Sequence, residues 1–157
     1  MKTLVVYYSR SGHTARIAEE IASHCKADIE RIKDAGAERG GLWGYLRSAC
    51  QAAIGAKPPI KKPSKNPADY ELVVIGTPVW NWGLAAPVRS YASQYAQQFK
   101  QVAFFCTEGG SGEQGAFDEL QRICGKSPLV TLAVKEGELE PLQHAQPLRR
   151  FAMRLSG

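Results

Sequence analysis

No stretch of the 157-residue sequence approaches the ~20 consecutive apolar residues that a membrane-crossing helix requires, so no span is expected. Cysteine is sparse. Cys25, Cys50, Cys106 and Cys124 include no C-x-x-C pair and each lies in an apolar or helical run, which excludes a dithiol motif and reads as reduced thiols. His13, His24 and His144 have no ligand spacing among themselves or with the cysteines, so no metal site is expected. Met1-Lys2-Thr3 leads into an apolar stretch shorter than a signal peptide needs, with no small-residue cleavage site, and the expected location is cytoplasmic. Acidic residues are also in deficit. Twenty Lys and Arg against fifteen Asp and Glu leave a net charge of +5. Part of that excess sits in Lys57, Lys61, Lys62 and Lys65, among Pro58, Pro59, Pro63 and Pro67. This segment reads as a solvated loop rather than a nucleic-acid surface.

A hydrophobic fraction of 44% and a charged fraction of 22% are those of a globular protein, and the length suits one domain over residues 1–157. Four short apolar runs, Leu4 to Tyr8, Leu72 to Ile75, Val102 to Cys106 and Leu129 to Val134, suit strands buried on both faces. Asp28-Ile29-Glu30-Arg31-Ile32 alternates charged and apolar residues and is expected at a sheet edge with one wet face. Helical stripes fill the gaps: Ile17, Ala18, Ile21, Ala22 and Cys25; Val88, Tyr91, Ala92 and Tyr95; Phe117, Leu120, Ile123 and Cys124; Leu148, Phe151, Ala152 and Leu155. A further helix is expected over Leu42, Tyr45, Leu46, Ala49 and Ala53. Alternating strands and helices require parallel strands with right-handed crossovers, hence an α/β three-layer sandwich.

Ligands in such a sheet sit beyond the carboxyl ends of the strands, which directs attention to three loops. The first is Ser9-Arg10-Ser11-Gly12-His13-Thr14. Its hydroxyls and its glycine, at a helix start with partial positive charge, suit a phosphate; the same residues would also serve as an ordinary helix cap. The second is Thr77-Pro78-Val79-Trp80-Asn81-Trp82-Gly83, whose two indoles could cover a flat apolar ring or pack on a neighbouring helix. The third is Cys106-Thr107-Glu108-Gly109-Gly110-Ser111-Gly112, where glycines let backbone amides approach a ring edge or simply form a turn.

Other uses of this architecture lack their residues. G-x-x-x-x-G-K-[ST] and G-x-G-x-x-G are absent, and so is G-x-S-x-G. Position 112, where a Cys106-x5-Arg phosphatase loop would need arginine, is glycine. No strand ends in the aspartate that a receiver domain phosphorylates.

Ser9, Ser11, Gly12 and Thr14 match the pattern [ST]-x-[ST]-G-x-[ST], placed after the first strand, and in this the chain resembles the flavodoxin family. Thr77-Pro78-Val79-Trp80 is similar to the second loop of flavodoxin-like flavoproteins and quinone reductases. The resemblance implies a five-stranded parallel sheet in the order 2-1-3-4-5, with FMN bound noncovalently at the switch point. It further implies that Ser9 to Thr14 hold the phosphate, and that Thr77 to Trp82 and Cys106 to Gly110 flank the ring. Partners would be a redox protein or NAD(P)H with a small acceptor such as a quinone. A flavin-free interaction module of the same fold is a further alternative. Two departures stand out. The third loop has no aromatic residue to stack on the flavin, and the net charge is +5 where electron-carrying flavodoxins are acidic.

Overall fold

In a computed structural model of the chain, residues 1–35, 55–138 and 140–157 are described. The expected helix over Leu42 to Ala53, and Cys50, lie outside the described residues. The apolar runs become strands because their β-branched and aromatic side chains are covered on both faces. Strands β1 (Thr3–Tyr7), β2 (Asp28–Arg31), β3 (Leu72–Trp80), β4 (Gly83–Leu84), β5 (Gln101–Glu108) and β6 (Thr131–Lys135) form one sheet. Its order is β2-β1-β3-β5-β6, with β4 paired only to β3. The five parallel strands therefore take the expected order 2-1-3-4-5, and β4 is an antiparallel addition that the sequence reading did not contain.

Helices α1 (His13–Cys25), α2 (Ala86–Tyr95), α3 (Glu113–Cys124) and α4 (Pro141–Ser156) flank the sheet. Ile17, Ala18 and Ile21 of α1 pack with Leu148, Phe151 and Leu155 of α4 against Val5, Val74 and Phe105 on one face. On the other, Val88 and Tyr91 of α2 and Leu120 of α3 pack against Val6, Ile75 and Phe104. The alternation of core assignment along β1, β3 and β5 is the strand period itself, with successive side chains feeding opposite layers.

Three sequence expectations change. The strand starting at Leu72 does not end at Ile75 but runs to Trp80, because the turn at Asn81 and Trp82 returns the chain as β4 to pair with it. The last strand is not buried on both faces. It starts at Thr131 and lies at the sheet edge, where Thr131, Ala133 and Lys135 are exposed while Leu132 and Val134 are buried. The edge strand β2 does not turn its charges uniformly to water. Glu30 is buried and accepts hydrogen bonds from the Ser64 amide (3.0 Å) and hydroxyl (2.7 Å), fastening the Lys-Pro segment to the sheet. Lys57, Lys61 and Lys62 of that segment are exposed, as expected of a solvated loop.

Arg89 of α2 is the buried cation of the helical layer. It pairs with Glu119 of α3 and donates to the carbonyls of Ala56 (2.9 Å) and Leu84 (3.3 Å). Removing it would strand a carboxylate and two carbonyl oxygens, and breaking a buried pair from one side costs about 3–5 kcal/mol. Arg89→Ala is therefore expected to lower unfolding stability by about that amount in chemical denaturation. A loss below ~1 kcal/mol would show that the pair contributes no more than an exposed one.

Candidate functional site

Parallel pairing carries the ends of β1, β3 and β5 to one edge of the sheet, where the three predicted loops meet. In the first, Gly12 is the N-cap of α1 and adopts a left-handed backbone (φ 98°) that disfavours any side chain. Its amide donates to Ser9 Oγ at 3.1 Å, and Arg31 of β2 donates to the Ser9 carbonyl at 2.9 Å. Ser9 and Thr14 are buried, whereas Arg10 and Ser11 are exposed. No side chain caps α1, and its first turn has no acidic residue. A Cβ on Gly12 would meet nothing within 4 Å, so space is open beside the cap. His13 Nδ1 lies 3.5 Å from Glu136 Oε1, at the turn after β6.

The start of α3 provides a contrast. Gly112 caps it in the same left-handed conformation (φ 113°), but Glu113 fills its first turn. The Glu113 carboxyl is held below the ordinary range, first by its own backbone amide and then by neighbouring Glu108. The positive end of α3 is thus occupied by the chain's own carboxylate. That of α1 has no such carboxylate in its first turn.

The second segment is a hairpin rather than a loop. Thr77 is fully buried; its hydroxyl donates to the Pro78 carbonyl (2.7 Å) and accepts from the Ala85 amide (3.2 Å), which clamps the two ends together. Val79 pairs with Leu84 and Trp80 with Gly83. The turn residues Asn81 (φ 51°) and Trp82 (φ 59°) both have the left-handed conformation of the tight hairpin turn. For an indole-bearing residue this backbone costs about 1–3 kcal/mol. Trp80 packs edge-on against Tyr8 with ring centroids 5.5 Å apart, whereas Trp82 is 70% exposed. The two indoles therefore differ, one being built into the scaffold and the other presented.

The third segment begins inside β5, which runs to Glu108. Cys106 is buried and its thiol is pushed far above its ordinary value by burial, so it is no nucleophile. The Thr107 hydroxyl lies 2.8 Å from that of Thr14, a buried bond that ties the third segment to the first. Gly109 and Gly110 leave the loop without side chains. A Cβ on Gly110 would meet nothing within 4 Å, and one on Gly109 only Glu136 Oε2 at 3.9 Å.

The sequence placed Gly112 in the third loop but missed its close contact, Gly115 and the partners that join the segments. A Cβ on Gly112 would come within 2.8 Å of Trp82 Cα, and one on Gly115 within 2.4 Å of the Trp82 carbonyl oxygen. These glycines let the hairpin tip rest directly on the start of α3. A glycine at position 115, inside a helix otherwise patterned for burial, was the available signal. Nothing in the sequence pairs Thr14 with Thr107, or Ser9 with Arg31. Among the described residues no cluster of His, Cys, Asp or Glu could hold a metal ion, and no helix is long and apolar enough to cross a membrane. Cys25, Cys106 and Cys124 are free thiols, and burial pushes Cys124 up to about 12.

The fold defines a doubly wound α/β protein whose three loops meet at the topological switch point. The sequence profile of the flavodoxin family matches residues 2–143, and the chain belongs to that family. No curated protein matches the sequence. Among solved structures, a flavoprotein from Lactobacillus acidophilus NCFM in complex with FMN aligns with a TM-score of 0.75 at 23% identity, over 94% of this chain and 97% of that one. A structure from Bacteroides eggerthii DSM 20697 described as a candidate flavoprotein gives 0.77 at 22% identity, over 99% and 98%. The two-electron reduced flavodoxin of Megasphaera elsdenii gives 0.60 at 17% identity, over 96% and 98%. At these identities the likeness is one of fold.

Close approach at the hairpin tip yields a direct test. The atom that a Gly115→Ala methyl would strike is backbone, so a rotamer change cannot relieve it. The variant is expected to lose about 1–3 kcal/mol of stability and to shift tryptophan emission as Trp82 moves, both measurable in one fluorescence-monitored denaturation. An unchanged spectrum and midpoint would show that the hairpin does not depend on this contact.

Proposed function

We propose that this chain binds FMN noncovalently and serves as an electron-transfer module in the cytoplasm. The observation that supports this most directly is the pairing, on one sheet edge, of an uncapped helix start lined by buried hydroxyls with an exposed indole beside a glycine loop. The phosphate would be held by Ser9 to Thr14, through the amides at the start of α1 and the hydroxyls of Ser9, Ser11 and Thr14. Backbone amides at Gly109 and Gly110 would meet the ring edge, and the Trp80–Trp82 hairpin would flank the ring. The FMN-bound Lactobacillus acidophilus flavoprotein, with the same architecture, is consistent with this choice of cofactor. Bound flavin would supply one- or two-electron chemistry, with the protein determining access and potential.

The sequence left the ring face without an aromatic in the third loop. Trp82 of the second loop, expected as one of the indoles that could cover that face, supports a covered ring, because its main chain lies against Gly112 and brings an indole to the flank of the third loop. A ring covered in this way suits an electron carrier better than an enzyme whose substrates must stack on the flavin. The net charge of +5 supports docking on an acidic partner. It also supports the second reading, a reductase of quinones or similar acceptors using NAD(P)H, whose substrates are anionic nucleotides.

Purified protein is expected to show flavin absorbance, or to acquire it when titrated with FMN. Colourless protein that does not bind FMN would leave only the flavin-free interaction module. Ser11→Glu places a like charge at the phosphate and removes a hydroxyl, so FMN affinity should fall by at least about 100-fold, the equivalent of one or two lost charge-assisted hydrogen bonds. Unchanged affinity would refute the cradle. Steady-state oxidation of NADH or NADPH with a quinone should not exceed that of free FMN, and faster turnover would establish the reductase reading.

A further inference from the structure

One titratable side chain at this edge is buried without ordinary hydrogen-bond partners. Glu108, the last residue of β5, is 2% exposed, and neither carboxylate oxygen has a hydrogen-bond partner of normal geometry. Most buried polar groups are satisfied, because an ionised carboxylate without partners costs several kcal/mol. Alternation along β5 turns Thr107 toward Thr14 of α1, so Glu108 points to the opposite layer, where α3 begins. The groups facing it are few. Glu113 approaches from α3 and Lys135 from its register partner position on β6, while Cys106 is on its own strand. The hairpin resting on Gly112 contributes Val79 and Trp82, neither of which titrates.

We propose that Glu108 is the proton-holding side chain of the flavin site, a neutral acid whose ionisation and the negative charge of reduced flavin oppose one another. This rests on the FMN reading above. Its position supports it, since the residue directly precedes Gly109 and Gly110, whose amides are assigned to the ring edge. Burial raises its carboxyl above the ordinary range and the Glu113 carboxylate adds to the rise, with Lys135 opposing. Glu113 shifts the other way, as two neighbouring carboxyls competing for a proton do. Two-electron reduction by an external donor such as dithionite, with uptake of one solvent proton, would leave a net negative charge on bound flavin; below the window Glu108 would keep its proton, and within it Glu108 would take one up from solvent as the flavin is reduced. Linkage is reciprocal: reduced flavin makes Glu108 harder to ionise, and ionised Glu108 weakens the binding of reduced flavin relative to oxidised.

The test compares wild type, Glu108→Gln and Glu113→Gln, each loaded with FMN and reduced by dithionite against indicator dyes across a pH series. Wild type should show a pH window in which the preference for reduced flavin falls more steeply than in free FMN. Glu108→Gln should lose that window and hold reduced flavin at least about tenfold more tightly than wild type at its alkaline end. Glu113→Gln should move the window to lower pH by removing the neighbouring charge. A second measurement needs no flavin. A carboxyl raised on folding stabilises fully at acidic pH and loses that contribution as pH rises through its folded value. The apoprotein should therefore lose stability with rising pH more steeply than Glu108→Gln, and only wild type should show the infrared band of this protonated carboxyl at neutral pH. Superimposable redox profiles with FMN bound in both proteins would overturn the proposal alone, as would absence of the infrared band. Failure of wild type to bind FMN would overturn the flavin reading as well.

Discussion

Parallel pairing of β1, β3 and β5 is the constraint on which everything else in the molecule depends. Parallel neighbours must be joined by crossovers, and here those crossovers place α1 and α4 on one face and α2 and α3 on the other. Both faces of the central strands are then dry, which is why Leu4, Val5, Val6, Val73, Val74 and Ile75 are all inaccessible to solvent. The same pairing sends the carboxyl ends of the parallel strands to one edge. Ser9, Thr77 and Glu108 become neighbours of a single site although up to 99 positions separate them in the chain.

That edge is polarised by what caps its helices. Gly12 and Gly112 have equivalent left-handed geometry, yet the first turn of α3 contains Glu113 and that of α1 contains no acid. Of these two starts, α1 is the one without an acidic residue, and a carboxylate sits at that of α3 beside the buried Glu108. The ring end of the proposed cofactor would thus meet a neutral acid and glycine amides, and the phosphate end the open helix start. The separation is electrostatic in origin and needs no large net charge.

Rigidity at the site comes from small polar contacts made across elements. The Thr14–Thr107 bond joins the start of α1 to β5, Arg31 fixes the Ser9 carbonyl from β2, and the Thr77 hydroxyl closes the base of the hairpin. Trp82 is held in an unfavourable left-handed conformation while its indole stays exposed. Strain of that kind persists only where surroundings enforce it, and the closely approaching glycines of α3 do so.

Local pattern determined much of this. Continuous apolar runs specified central strands, the i, i+3, i+4 stripes specified the faces of α1 to α4, and the glycine and hydroxyls of Ser9 to Thr14 specified a helix start suited to phosphate. These are properties of neighbours in sequence, so they survive without a fold. Contacts between distant segments were decided only in three dimensions. A run of valine and isoleucine does not reveal that β3 continues through Pro78 to Trp80, because the partner that keeps it extended, β4, lies beyond the turn. Leu129 to Val134 looked as buried as any other run, but its place at the edge follows from the order of the other strands. Glu30 looked like a charge on a wet face, and nothing marked Glu108 as buried, because burial depends on what packs above a residue, and residue type does not report that. The sequence by itself determined the parallel strands, the helices that flank them and where a phosphate could bind; tertiary structure decided that β4 forms, which indole is presented and which carboxyl is hidden, because exposure is set by partners remote in the chain.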